Sequence, residues 1–218
     1  MRSYGQYCAL ARALDVIGDR WALLIVRELL DGPRRYNELL GGLPGIATNL
    51  LAERLRALEA TGVIESRADG RYALTPWGSG LREPIYALGR WAGPLMARPV
   101  GDDEFRPEWL HHLVSALFDG IDPQRGALTV DVLCEGVPLT LISAAGRVHV
   151  VPGASPGADV RLSGPPDALV GVLAGRLDRG AAEARGVSVT GDLRKLRRLR
   201  PALRRAPVLA PGAASGTD

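Results

Sequence analysis

Arginine keeps its charge at any physiological pH and forks its N–H groups onto phosphate oxygens or a guanine edge. In this 218-residue chain, arginines recur at Arg34, Arg35, Arg54, Arg56, Arg67 and Arg71, and Thr48, Asn49 and Glu53 stand among them. Plotted at about 100° per residue, Leu51, Leu55 and Leu58 fall on one edge of a helix, within roughly 60° of each other. Asn49, Ala52, Glu53, Arg56 and Ala60 fall on the opposite edge. An amide, a carboxylate and a guanidinium on one bare edge suit base edges and phosphates. Arg54 sits on the shoulder, placed either to pair internally or to reach a phosphate. A solvated surface helix would show the same pattern, so the flanking elements have to decide. A second kind of chemistry rests on Cys8, near the start of a helix. There the macrodipole favours the thiolate and could make a redox sensor, although Cys8 also fits a small buried apolar residue.

The elements around these residues follow a recognisable order. Leu10, Ala13, Leu14 and Ile17 predict a helix over Tyr7–Val16. Gly18-Asp19 interrupts it, and Asp19 is placed to cap a second helix over Arg20–Leu30, with Trp21, Leu24, Ile25 and Leu29 as core. Asp31-Gly32-Pro33 ends that helix and puts Arg34 and Arg35 on a short connection. After Gly62 the period changes: Val63–Arg67 and Arg71–Leu74 flank Ala68-Asp69-Gly70, a hairpin signal. Arg67 and Arg71 bracket its tip. Two short helices, a tight turn and a hairpin give the layout of a winged helix-turn-helix, whose second helix enters the major groove. The DNA-facing set is therefore Arg34, Arg35, Thr48, Asn49, Glu53, Arg56, Arg67 and Arg71.

The stretches Leu14–Trp21, Leu23–Ile25, Arg27–Leu29, Gly32–Leu39 and Leu43–Ile46, continued through Leu51, Arg54-Leu55, Leu58-Glu59, Gly62 and Leu74–Gly78, resemble the HxlR-type winged-helix transcriptional regulators. The likeness covers residues 7–97. It implies a homodimer on a short palindromic operator of double-stranded DNA, and Cys8 occupies the place of the family's N-terminal cysteine. Two features depart from the family pattern. Ala47-Thr48 stand where a capping Ser followed by Pro is usual, and the wing is short. Thr48 can cap the helix through its side chain and Ala47 cannot.

Composition sets outer bounds. The apolar content of 46% is enough for buried cores, and 27 basic residues with a net charge of +3 are compatible with an acidic partner. Cys8 and Cys134 lie far apart and offer neither a disulfide framework nor metal spacing. The opening Met1–Gln6 is not a signal peptide, and no apolar run approaches the roughly 20 residues of a membrane span. The expectation is a cytoplasmic protein. No phosphate loop, Ser/His/Asp set or paired carboxylates stand out, and the adjacent His111-His112 point about 100° apart on a helix. The reading is therefore no enzyme, no metal and no cofactor.

Punctuation divides the chain into residues 1–98, a polar linker at 99–105, a second domain at 106–205 and a Pro/Ala/Gly/Ser-rich tail at 206–218. The stripe Leu81, Ile85, Leu88, Trp91, Ala92 and Leu95 predicts a helix closing the first domain, and in the family that helix joins the dimer interface with the first. In the second domain a short helix at Trp109–Leu117 precedes strands at Ala127–Cys134, Pro138–Ser143, Arg147–Val151 and Asp159–Leu162, with turns at Gly136 and Gly146. Helices follow at Pro165–Leu177 and Leu193–Leu203, around a strand at Val187–Thr190. Strands before helices predict an α+β domain with helices on one face of an antiparallel sheet. Ala158–Gly164, Leu169, Gly175, Val187–Asp192, Leu196 and Leu199 resemble the sterol carrier protein type 2-like domain. The resemblance implies an apolar cavity holding a hydrophobic or lipid-like molecule, with Leu141, Val148, Val150, Leu169, Val172, Leu173, Leu196 and Leu199 as lining. The same residues also fit a solid core. The basic run from Arg194 to Arg205 reads as solvated charge opposite Leu193, Leu196, Leu199 and Leu203. The fold class is thus α+β, a winged helix-turn-helix followed by a sterol-carrier-like domain. Beside a regulator, two other readings stay open: a thiol sensor acting through Cys8, and a hydrophobic-ligand carrier that uses the helix-turn-helix only to dimerise.

Overall fold

The computed structural model describes residues 3–93, 95, 106–118, 126–144 and 147–199. The chain divides into two compact units, Met1–Ile85 and Tyr86–Asp218. The linker expected at 99–105, the tail at 206–218 and the turn at Gly146 lie outside the described residues.

In the N-terminal unit, apolar spacing decides the helices. They are α1 (Ala9–Ile17), α2 (Ala22–Leu29), α3 (Tyr36–Gly42) and α4 (Thr48–Ala60), joined after the hairpin by α5 (Pro76–Ser79) and α6 (Arg82–Ala92). The division between the units falls inside α6. Ile25, Val26 and Leu29 of α2, Leu39 of α3, and Leu51, Leu55 and Leu58 of α4 are buried together with Val63, Ile64 and Ala73. Burying each of these valine, leucine and isoleucine side chains stabilises the fold by about 1.5–3 kcal/mol.

Three strands accompany the helices: β1 (Arg34–Arg35), β2 (Ile64–Ser66) and β3 (Arg71–Leu74), in the order β1-β3-β2. Arg34 and Arg35 are therefore not on a plain connection. They pair antiparallel with β3 and make the wing three-stranded. Two residues cannot announce a strand by periodicity, which is why the pairing was invisible in the sequence. The turn before α2 also differs from expectation. Asp19 does not cap α2, which begins at Ala22 behind Trp21 in the left-handed region at φ 81°. The Asp19 carboxylate instead pairs with Arg54 of α4.

The join from α4 to β2 is locked by backbone chemistry. Gly62, at φ 75°, donates its N–H to Glu59, and Val63 donates to Leu58. This is a Schellman closure, with Leu58 and Val63 both buried beside it. The Thr75 hydroxyl donates to the Gly62 carbonyl at 2.7 Å and accepts the Gly78 N–H at 3.0 Å, capping α5. Gly78 is buried so tightly that a Cβ there would meet the Val63 carbonyl oxygen.

The C-terminal unit holds α7 (Pro107–Leu117) and a five-stranded sheet of β4 (Leu128–Cys134), β5 (Val137–Ala144), β6 (Arg147–Pro152), β7 (Val160–Gly164) and β8 (Ser188–Gly191). The strand order is β6-β5-β4-β7-β8. The sheet is mixed, not purely antiparallel as expected, because β7 runs parallel to β4. Strand periodicity carries no direction, so only the return of the chain to the far side of β4 fixes it. Leu128, Val130, Val132, Leu139, Leu141, Val160 and Leu162 are buried in one core with Leu110 and Val114 of α7. Two further helices complete it, α8 (Pro166–Leu173) and α9 (Arg179–Glu183), the latter not expected. The helix expected over Leu193–Leu203 is a 3-10 helix, η1 (Leu193–Arg198), and residues beyond Leu199 are outside the described set. Leucines three apart at Leu193, Leu196 and Leu199 line up on a three-residue turn, which favours the tighter helix.

Gly78→Ala places a methyl against the Val63 carbonyl. It is expected to cost about 1–3 kcal/mol of stability by overpacking, read as a lower urea midpoint with an unchanged denaturant slope. An unaltered midpoint would show that the α5 turn relaxes freely.

Candidate nucleic-acid interface

The interface is built outward from α4. Its apolar edge is fully buried through Leu51, Leu55 and Leu58, so its opposite edge must face out, and Thr48, Asn49, Glu53 and Arg56 are all exposed. Thr48 is the first helical residue. Ala47 occupies the cap position, and no side chain caps the helix. The Thr48 expectation is corrected accordingly: Thr48 lies one residue too far into the helix to cap it. No acidic residue stands in the first turn, so the N-terminal amides keep their partial positive charge uncompensated. The Tyr36 hydroxyl donates to the Thr48 carbonyl at 2.7 Å and buttresses the start of α4 from α3. Tyr36 was not among the sequence candidates; only the fold brings it to Thr48.

The wing gathers its arginines by register. Arg35 lies opposite Arg71, and Arg34 lies opposite Tyr72. Residues directly opposite on antiparallel strands share a face, so two like charges from distant parts of the sequence stand side by side. Each arginine near the tip has a nearby acid: Arg71 Nε lies 3.2 Å from Asp69 and Arg67 Nε 3.6 Å from Glu65. Arg56 Nε donates to the Ala52 carbonyl of its own helix at 3.2 Å. Exposed pairs of this kind are worth about 0–1 kcal/mol, too little to keep a guanidinium from a phosphate. The Arg35 N–H donates to Glu38 at 2.6 Å, which fixes the start of α3. Arg54 turns away from the open edge and is held internally, at 2.9 Å from Asp19 and 3.1 Å from Glu53. The spacing of Arg54 on the shoulder of α4 allows either role; the ion pairs select the internal one.

Residues 16–99 match the model of the HxlR-like helix-turn-helix family. The HTH-type transcriptional regulator YvaP of Bacillus subtilis is 34% identical over 87 residues, which span 37% of this chain and 81% of that protein. The chain belongs to the HxlR-like helix-turn-helix family. The HTH-type transcriptional regulator YodB of the same organism is 34% identical over 86 residues, spanning 37% of this chain and 77% of YodB. The crystal structure of quinone-bound YodB, 34% identical, covers 39% of this chain and 96% of its own at a TM-score of 0.37. The protein is a transcriptional regulator, and its relatives are HTH-type regulators, not enzymes. No described helix is long and apolar enough to cross a membrane.

Two further sequence candidates lie elsewhere in the regulator. Cys8 is exposed and occupies the cap position of α1. The amides of Ala11 and then Leu10 hold its thiol below the ordinary range, although neither closes a capping hydrogen bond. Cys134 is the opposite case: burial, aided by the Glu135 carboxylate, pushes its thiol up to about 11. In the C-terminal unit an open cavity of about 640 Å³ is bordered by the end of α8, the start of α9 and η1. Of the expected lining, Val172, Leu173, Leu196 and Leu199 border it. Leu141 and Leu169 do not; both are buried in the core. Val148 and Val150 are half-buried against that core and are also absent from the cavity wall. Alternation along β5 and β6 points Leu141, Val148 and Val150 inward, and helical spacing does the same for Leu169 on α8, but neither pattern says whether packed side chains or a void meets them.

Alkylation should separate the two thiols. In the native regulator Cys8 is expected to react with iodoacetamide at a pH below that of a free thiol, while Cys134 stays unmodified until denaturant is added. Mass mapping of the labelled peptides checks this, and equal labelling of both in the native state would contradict it.

Proposed function

We propose that the regulator is a homodimer that binds a palindromic operator, with domain limits of 1–98 for DNA binding and dimerisation and 106–205 for a sterol-carrier-like domain. The observation that carries the DNA reading is the Arg35–Arg71 register beside an α4 whose polar edge is bare. Asn49, Glu53, Arg56 and Thr48 read base edges, and Arg34, Arg35, Arg67 and Arg71 hold phosphates. Dimerisation is supported by apolar side chains left uncovered on two helices. Leu10 and Leu14 of α1 are 67% and 40% exposed, and Leu88 and Trp91 of α6 are 49% and 77% exposed. Large apolar groups bared on helices mark interaction surfaces. A palindrome read by a two-fold dimer sets the recognition helices about 34 Å apart.

The cavity beside Val172, Leu173, Leu196 and Leu199 supports a hydrophobic or lipid-like effector, since about 640 Å³ is the size of a small-molecule site. A second reading is favoured by the exposed Cys8 thiol, held below its ordinary range by the Ala11 and Leu10 amides: an electrophile or oxidant modifies the sulfur at the head of α1, and DNA affinity changes. No second cysteine lies near Cys8 in the chain, so such a switch works between subunits or through a small-thiol adduct. A carrier that kept the helix-turn-helix only to dimerise would have no use for the arginine register.

Arg56→Ala is expected to weaken operator binding by about 1–3 kcal/mol and relax preference at one base pair. Arg35→Ala and Arg71→Ala are expected to weaken binding to all duplexes and to lower the salt slope by about one each. Fluorescence anisotropy across a salt series measures both. A wild-type chain with no duplex preference and no salt dependence removes the assignment of α4 and the wing arginines to DNA.

Charged replacements at Leu88 and Trp91 are expected to give a folded monomer with operator binding lost. Light scattering at micromolar concentration, run on wild type and variant, decides it, and a wild-type monomer rules out the dimer.

A further inference from the structure

One nitrogen of Arg54 serves two carboxylates. Its Nη1 lies 2.9 Å from Asp19 Oδ2 and 3.1 Å from Glu53 Oε1. Asp19 belongs to the turn between α1 and α2, whereas Glu53 lies on the exposed edge of α4. The Arg54 side chain is 19% exposed, against 61% for Asp19 and 60% for Glu53. Its Nε is buried with no partner.

This arrangement is poor as a stabilising device. Exposed carboxylates are screened by water, and an unfilled buried donor is unfavourable. What the arrangement does is fix direction. The guanidinium is largely buried whereas Glu53 is exposed, so their contact draws Glu53 toward the side of α4 where Arg54 lies. Asp19 takes a share of the same N–H-bearing nitrogen and leaves Glu53 only partly neutralised.

We propose that Asp19 is a positioning residue for base readout: by sharing Arg54 Nη1 it holds the Glu53 carboxylate ready to accept from an exocyclic base amine, most directly the N4 amine of cytosine. The proposal rests on the reading of α4 as the base-contacting helix. Without Asp19 the whole guanidinium charge falls on Glu53, and Glu53 has to break that pair before it meets a base. Asp19 touches no DNA itself, and its loss leaves the phosphate-holding arginines of the wing as they are.

The test is selection from a randomised duplex pool with the full-length protein, scoring preference position by position. Glu53→Gln identifies the base pair that Glu53 reads. Asp19→Asn is expected to reduce discrimination at that same base pair by about fivefold to tenfold, with other positions, affinity for non-specific duplex and the thermal midpoint unchanged. The double variant is expected to match Glu53→Gln alone, and Asp19→Glu is expected to restore the preference. If Asp19→Asn does not fold, Asp19→Ser carries the same comparison. Equal weakening at every position, additive effects in the double variant, or a Glu53→Gln variant with unchanged preference overturns the proposal. A wild-type protein with no sequence preference overturns the reading of α4 as the base-contacting helix, so the two failures are distinguishable.

Discussion

Burial of Leu51, Leu55 and Leu58 along one edge of α4 is the constraint on which the N-terminal unit depends. A helix that reads DNA has to be rigid and bare on the same segment. Rigidity comes from packing one edge to exclusion of water; bareness follows because the edge half a turn away then has nowhere to go but solvent. The closure after the helix continues the same logic. Gly62 turns the chain, Val63 packs back beside Leu58, and Thr75 ties the returning strand to the Gly62 carbonyl. The helix is thereby fixed to the wing through short, directional bonds as well as apolar contact.

Charge on the surface is managed with equal economy. Arg67, Arg71 and Arg56 each rest on a weak neighbour, an adjacent carboxylate or their own helix backbone. Such contacts orient a guanidinium at almost no stability and yield to a phosphate, which offers a charge-assisted bond of better geometry. Arg54 is the exception because it is wedged against the unit. Of the six arginines on these elements, Arg35, Arg56, Arg67 and Arg71 are exposed, Arg34 is half-buried in the wing, and Arg54 is held by Asp19 and Glu53 as part of the scaffold.

Environment separates like residues, the two cysteines across the two units and the leucines within the C-terminal one. Cys134 sits in the core, where burial keeps its sulfur protonated, while Cys8 lies in solvent before the first amides of α1. Within the C-terminal unit, the leucines of η1 and the end of α8 border an opening, and Leu141 and Leu169 pack solidly. The Lys195 amine donates to Asp159 at 2.6 Å, and Asp159 accepts the Thr129 N–H at 3.0 Å. These bonds tie η1 to the sheet and keep that wall of the cavity in place.

The sequence by itself determined whatever repeats locally. The 3.6-residue spacing of Leu51, Leu55 and Leu58 settled which edge of α4 is buried, Asp69-Gly70 settled the hairpin, and the alternation in β4 and β5 settled their inward faces. Boundaries moved by a few residues where backbone conformation decided them, as at α2, which begins behind Trp21 in the left-handed region. Tertiary structure alone decided the rest. The pairing of Arg35 with Arg71, the Tyr36 bond to Thr48, the Asp19–Arg54–Glu53 arrangement and the parallel β4–β7 pair all join residues distant in the chain. Nothing in local periodicity encodes a partner at long range. It is chosen by which packing of the already formed elements buries the most apolar surface while leaving every backbone group a bond.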